Sequence, residues 1–179
     1  MHSVALITGA SRGIGKAIAY SLAEEGYTLA LCCKNQKERL LEIAADLNQN
    51  FHVSVLTFVG DVSDASFVEQ MICDIVEEFG SIDILINNAG ISYVGLLTDM
   101  DITDWNNVLS TNLTSCFLTS RYAIPSMLSK KEGKIINISS VWGNVGASCE
   151  VAYSASKGGI HAFTKALAKE LAPSNIQVN

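Results

Sequence analysis

Short runs of β-branched and aliphatic residues alternate along this chain with longer amphipathic stretches, and that alternation restricts the fold more than any other feature. Val4–Thr8, Thr28–Cys33, Val53–Val59, Ile82–Ile86, Lys134–Ile138 and the short Ile176–Val178 read as strands. Gly13–Glu25, Lys37–Asn48, Ala65–Phe79, Asp101–Ser129 and Val151–Leu171 read as helices. The boundaries carry chemical markers. Gly26 and Gly80 suit left-handed helix ends, and Ser63 and Asp64 offer capping oxygens. Pro125 is placed to kink or end the fourth helix, and Pro173 to stop the fifth. Because the strands are almost continuously apolar, both faces of their sheet must be covered. Right-handed crossovers then predict an α/β fold in three layers, a doubly wound parallel sheet of order 3-2-1-4-5-6. With only two prolines in 179 residues and no repeat, linker or low-complexity run, residues 1–179 read as one domain.

Composition excludes several classes of function. Hydrophobic residues make up 49% of the chain and charged residues 17%, enough to build a core and too apolar for disorder. A formal net charge of −6 argues against nucleic acid or an anionic membrane surface as the main partner. No apolar run approaches the length of a membrane span. Met1 leads almost directly into Val4–Thr8 without a basic segment, so no signal peptide is expected. The five cysteines (Cys32, Cys33, Cys73, Cys116 and Cys149) form no C-x-x-C pair, and His2, His52 and His161 show no ligand spacing. Reduced thiols in a cytoplasmic protein without a metal site are the expectation. Ile176–Val178 should lead into a loop at the ligand-binding edge of the sheet, so the functional protein is expected to continue beyond Asn179.

The first strand runs into Thr8-Gly9-Ala10-Ser11-Arg12-Gly13-Ile14-Gly15. Glycines at G-x-x-x-G-x-G give a tight turn, let backbone approach a pyrophosphate, and bring helix and strand together. The next helix offers free N–H groups and the positive end of its dipole to an anion. A Walker A loop would need Ser or Thr where Ala17 stands. After the second strand, Lys34 and Asn35 stand where an enzyme using NAD places a carboxylate for the ribose 2′-hydroxyl. Lys34 is either an ordinary solvated lysine or, with Arg12, a clamp for a 2′-phosphate. With no acid present, NADP(H) is favoured over NAD(H). Asp61 and Val62 follow the third strand, and Asp61 either meets an adenine amino group or caps the next helix. Asn87-Asn88-Ala89-Gly90 follows the fourth strand, small and polar enough for a cofactor to lie on its backbone.

Tyr153 and Lys157 are four residues apart on the last helix, so their side chains share a face. A phenol titrates near roughly 10 in water, and a neighbouring cation favours the phenolate. Such a pair also arises on ordinary helices. It gains meaning from Asn112 in the fourth helix and Ser140 after the fifth strand. Trp142 and Val145 either line a substrate pocket or pack beneath the loop. Glu150 reads as an acid favoured at a helix N-terminus, and His161 as a packing residue.

Taken together, the Thr8–Gly15 turn, Asp61, the Asn87–Gly90 run, Asn112, Ser140 and Tyr153-x-x-x-Lys157 resemble the short-chain dehydrogenase/reductase family along nearly the whole chain. The resemblance implies a Rossmann-type fold, a last strand and a substrate lid beyond Asn179, and a catalytic tetrad of Asn112, Ser140, Tyr153 and Lys157. In it Tyr153 is the proton donor, Ser140 orients the substrate oxygen, Lys157 also binds the nicotinamide ribose, and Asn112 holds a water for proton relay. The implied cofactor contacts are Gly9, Ser11, Arg12, Gly13, Ile14, Gly15, Lys34, Asn35, Asp61, Val62, Asn88, Ala89, Gly90, Tyr153 and Lys157. The implied substrate contacts are Ser140, Trp142 and Tyr153. Homodimers or homotetramers through the fourth and fifth helices are also implied, with Leu113, Phe117, Leu118, Phe163 and Leu167 as candidate interface residues. The overall pattern is similar to 3-oxoacyl-[acyl-carrier-protein] reductases, which implies NADPH-dependent reduction of a small-molecule or carrier-bound ketone in fatty acid biosynthesis. The Ser139–Gly143 and Gly146–Glu150 stretches resemble a branch that reduces a ketone on a modified lysine of elongation factor P. The same residues would also serve an NAD-linked alcohol dehydrogenase or a non-catalytic dinucleotide sensor. Cofactor preference tests for the dehydrogenase, and Tyr153→Phe for the sensor.

Overall fold

The computed structural model describes residues 3–179; the expectation about Met1 and the spacing of His2 fall outside the described residues. Six parallel strands form a single sheet in the order 3-2-1-4-5-6, as the alternation predicts. They are β1 (Val4–Thr8), β2 (Thr28–Cys33), β3 (Val55–Val59), β4 (Ile84–Asn87), β5 (Gly133–Asn137) and β6 (Ile176–Val178). The helices are α1 (Gly13–Glu24), α2 (Lys37–Phe51), α3 (Ala65–Phe79), α4 (Ile102–Leu109), α5 (Ser115–Lys130), α6 (Trp142–Val145) and α7 (Val151–Leu171). Two apolar cores flank the sheet. Ile7, Leu29, Leu31, Leu40 and Leu47 build one against α1 and α2. Leu6, Leu85, Met71, Ile75, Met127 and Ile135 build the other against α3 and α5.

Local chemistry places the ends of most elements. Asp64 caps α3 by accepting from the backbone N–H of Ser66 and Phe67, and Gly80 closes it at φ 83°. Ser63 is not the cap, and neither is Asp61. α2 runs three residues beyond the expected Asn48, to Phe51, and ends where His52 turns left-handed at φ 56°. The expected strands at 53–59, 82–86 and 134–138 shift by one or two residues, because register with the neighbouring strands, not apolar character alone, decides which residues pair.

The largest departure lies in the expected helix from Asp101 to Ser129. It is broken by a π-turn at Ser110–Thr114 between α4 and α5. Pro125 does not end the element, for α5 continues to Lys130. The lost N–H bond is outweighed by burial of Ala123 and Met127 on both sides of the proline and by Ser126 Oγ, which accepts from Ile82 N at 3.2 Å. The irregular turn sits instead around Asn112, where wide turns often serve a site.

Candidate active site

The carboxyl ends of β1 to β5 converge on one edge of the sheet, and two joined cavities lie over it. The first, of about 570 Å³, runs past the glycine turn. Gly9, Ser11, Arg12, Gly13 and Ile14 line it from the turn, Lys34 and Asn35 from β2, Asp61 and Val62 from β3, and Asn88, Ala89 and Gly90 from β4. The second, of about 420 Å³, is lined by Ser140, Trp142, Glu150, Tyr153 and Lys157. Ile14, Asn88, Gly90 and Ile91 border both.

The turn is shaped to receive a ligand above it and to be packed below it. Gly13 has φ +54°, and a Cβ there would meet nothing within 4 Å, so the space over it is open cavity. Gly15, expected among the cofactor contacts, lies under the turn instead: a Cβ on it would come within 2.4 Å of Gly9 O. Arg12 makes no side-chain cap to α1, which leaves the N–H groups of the first turn without a side-chain partner. Thr8 ties the turn to β4: its hydroxyl accepts from the N–H of Asn88 and of Ala89, each at 3.0 Å. Asn88 Nδ2 donates in return to Thr8 O at 3.0 Å and Gly9 O at 3.1 Å. This cradle of unbonded N–H groups, a missing side chain and open volume fits the pyrophosphate of a dinucleotide.

Lys34 is not a free solvated cation. Its Nζ lies 2.5 Å from Asp61 Oδ2. The other Asp61 oxygen accepts from Ser63 N at 2.9 Å and Ser63 Oγ at 2.7 Å. Burial by itself would raise the Asp61 carboxyl, but the bonds from Lys34 and Ser63 outweigh it and hold the group below its ordinary range.

In the second cavity Lys157 is 4% exposed, and its Nζ donates to Ile138 O at 2.6 Å. Burial lowers its pKa, against a smaller upward pull from Cys116. The ammonium lies 5.7 Å from the centroid of the Tyr153 ring, so the i, i+4 spacing does bring the two together. A Cβ on Gly90 would sit 3.6 Å from Nζ, an ordinary contact, and a tighter 3.3 Å from Asn112 Oδ1. Ser140 Oγ accepts from Trp142 N at 3.2 Å, which leaves its O–H free to donate into the cavity.

Asn112 is completely buried, and both its amide hydrogens are committed: Nδ2 donates to Ile91 O at 2.9 Å and to Ser156 Oγ at 2.9 Å. Its Oδ1 accepts from Ile91 N at 2.8 Å. The side chain is thus a clamp between α7 and the loop after β4. Its main-chain carbonyl accepts from the Cys116 thiol at 3.2 Å.

Trp142 and Val145 both belong to α6, an element the sequence pattern did not mark. Trp142 lines the cavity, whereas Val145 is 68% exposed on the surface. Glu150 carries more than a helix-end charge. It makes no cap bond, faces the second cavity, and accepts from Ser92 Oγ at 2.7 Å. Ser92 and Ile91 had no mark of their own beyond following the Asn87–Gly90 run, and Glu150 stands only three residues before Tyr153. Among the described residues no cluster of His, Cys, Asp or Glu is suited to a metal ion, and no helix is long and apolar enough to cross a membrane.

A dinucleotide cradle at the switch point of a doubly wound sheet, opening into a cavity with Tyr, Ser and Lys, defines an oxidoreductase that uses a nicotinamide cofactor on an alcohol or carbonyl group. The chain belongs to the short-chain dehydrogenase family, whose model matches residues 3–179. It is 41% identical over 179 residues to the uncharacterized oxidoreductase YmfI of Bacillus subtilis, covering 100% of this chain and 73% of that protein. It is 42% identical over 179 residues to the 3-oxoacyl-[acyl-carrier-protein] reductase FabG of Staphylococcus aureus, covering 100% of this chain and 72% of that enzyme. A crystal structure of NAD+-bound xylitol dehydrogenase superposes with a TM-score of 0.94 at 36% identity, covering 99% of this chain and 68% of the other.

Proposed function

We propose that residues 1–179 form one NAD(P)-binding domain of an NADPH-dependent reductase that acts on the ketone of a 3-oxoacyl thioester, with Tyr153 as proton donor. The observation that carries this reading is the shared border of the two cavities, which sets a dinucleotide groove against a pocket where Tyr153, Ser140 and Lys157 converge. When bound, the cofactor supplies the hydride. The residues of the chain manage the oxygen of the substrate. As negative charge develops there, Tyr153 delivers a proton and Ser140 donates a hydrogen bond that fixes the oxygen. Lys157 commits one of its three hydrogens to Ile138 O, and the remaining two are available to a ribose hydroxyl. Its ammonium lies 5.7 Å from the centroid of the Tyr153 ring, beside the group that delivers the proton. Asn112 acts through the Ile91 loop and Ser156, holding the cofactor-facing backbone in place. Arg12 and Lys34 take the 2′-phosphate, and Asp61 and Val62 meet the adenine. A second copy of the chain covers Phe117, 45% exposed on α5, while Leu118 and Leu167 pack into the core.

Reduction of acetoacetyl thioesters, followed as loss of NADPH absorbance, tests the reading. Tyr153→Phe should lower kcat by about 10²- to 10⁴-fold with unchanged cofactor affinity. No reduction of any 3-oxoacyl thioester would remove the substrate assignment and leave the fold untouched. A second reading is favoured by Glu150, whose carboxylate stands in the substrate cavity and suits a cationic substrate better than an anionic carrier. A ketone borne on a modified lysine of elongation factor P meets that description. Higher kcat/KM on an amino ketone than on an acyl thioester, lost in Glu150→Gln, would decide for it.

A further inference from the structure

β2 and β3 are paired so that Cys33 lies opposite Val59, and Gly60 N donates to Cys33 O at 2.9 Å. The residues that follow, Lys34 and Asp61, therefore leave the sheet side by side at the wall of the groove. The carboxylate is the fixed member of the pair. Ser63 grips one oxygen twice, and the backbone just before it has little room: a Cβ on Gly60 would meet the Phe67 ring at 2.3 Å. Lys34 is the mobile member, with its side chain 58% exposed on a flexible stem. Arg12 lines the same groove and has no ion-pair partner among the described residues.

We propose that the Lys34–Asp61 ion pair sets how strongly the enzyme discriminates between 2′-phosphorylated and unphosphorylated dinucleotides, with Asp61 as the attenuating partner. A 2′-phosphate that reaches Lys34 meets a cation already neutralised, beside a carboxylate that cannot withdraw. The phosphate must compete for the ammonium and bear the repulsion of Asp61, whereas a 2′-hydroxyl does neither. The site as built therefore prefers NADPH less than its two cations would allow. This rests on the reading that Arg12 and Lys34 face the 2′-phosphate.

The test is the ratio of dissociation constants, Kd(NADH)/Kd(NADPH), read from cofactor fluorescence in the purified protein and three variants. The ratio cancels any contact of Asp61 with the adenine, which both cofactors share. Asp61→Asn keeps the shape and the acceptor for Ser63 while removing the charge, and should raise the ratio about fivefold at low salt. The gain should shrink at high ionic strength. Asp61→Ser, which removes the same charge in a smaller side chain, should move the ratio in the same direction. Lys34→Ala should lower it. If Lys34→Ala lowers the ratio but both Asp61 variants leave it unchanged or reduce it, the attenuation is wrong and the 2′-phosphate assignment stands. If Lys34→Ala leaves the ratio unchanged, the assignment itself is wrong and the proposal falls with it.

Discussion

Gly15→Ala puts a single methyl group where the fold has no room for one. A Cβ at this position would lie 2.4 Å from Gly9 O, 2.6 Å from Asn88 Nδ2 and 3.0 Å from Gly9 C. The first contact is about 1 Å closer than ordinary van der Waals approach. None of these neighbours is the free end of a flexible chain. Gly9 is backbone in the turn, and Asn88 Nδ2 is held by its bonds to Thr8 O and Gly9 O. Relief requires the turn to lift from α1, at an overpacking cost of about 1–3 kcal/mol and roughly 1 kcal/mol for a weakened hydrogen bond. The better helix propensity of alanine offsets somewhat under 1 kcal/mol of this. The net loss of about 1–3 kcal/mol corresponds to a fall in Tm of about 2–12 °C for a domain of this size. Gly13→Ala is the control. Its Cβ meets nothing within 4 Å, and only the positive φ of 54° opposes it, at about 1 kcal/mol. Calorimetry and a fluorescence titration with NADPH on both variants check the argument. Gly15→Ala should lose stability and affinity together, whereas Gly13→Ala should lose affinity with a small change in Tm. A Gly15→Ala protein melting within about 1 °C of the parent, or a Gly13→Ala protein less stable than Gly15→Ala, would refute it.

Other perturbations follow from the same geometry. Asn112→Ala strands the N–H and C=O of Ile91 and removes the donor to Ser156 Oγ, which keeps its own bond to Tyr153 O, so it should cost about 2–4 kcal/mol and speed amide exchange at Ile91, measured by hydrogen–deuterium exchange. Burial holds the folded-state pKa of Lys157 below its ordinary 10.5. The unfolded chain therefore binds more protons between those two values, and stability contributed at this site rises with pH across that window. Urea midpoints of the parent should gain on those of Lys157→Met as pH climbs toward 10.5, and a gap that moves the other way would contradict the burial. Asp61 has its folded-state pKa below 3.8, so its contribution is present above that pH and lost as pH falls through the lowered value. The stability difference between the parent and Asp61→Asn should close in acid below 3.8. Iodoacetamide should label Cys149 and, more slowly, Cys73, whose thiol is raised by its bond to Glu77. Buried Cys32 and Cys116, pushed up to about 12 and about 11, should react only after unfolding, as mass spectrometry of the labelled protein would show.

Much of the frame is legible in the amino-acid sequence. Apolar alternation and chain direction are local properties, and they lead to the order 3-2-1-4-5-6, the bounds of α3 and α7, and the caps at Asp64 and Gly80. The placement of the glycine turn, Asp61, the Asn87–Gly90 run and Ser140 on one edge follows from the same source, because every parallel strand ends on that edge. Tyr153 and Lys157 need only the helical repeat.

What the sequence could not disclose is which partner each polar group would take. Asn112 reads in sequence as a polar residue of a long helix, and in the fold it is buried with its amide committed to Ile91 and Ser156, the latter 44 residues away. Lys34 and Asp61 stand far apart in the chain, and their union depends on the register of β2 with β3. The same holds for Glu150 and Ser92, brought together at the wall of the second cavity. Pro125 and the π-turn at Ser110–Thr114 show the complementary limit, since packing against the sheet overrode one local breaker and created an irregularity where no breaker stands. Periodicity decides which face of an element is buried. Hydrogen-bond partners are chosen only when the faces meet, since each polar group buried there must take whatever donor or acceptor the neighbouring element presents.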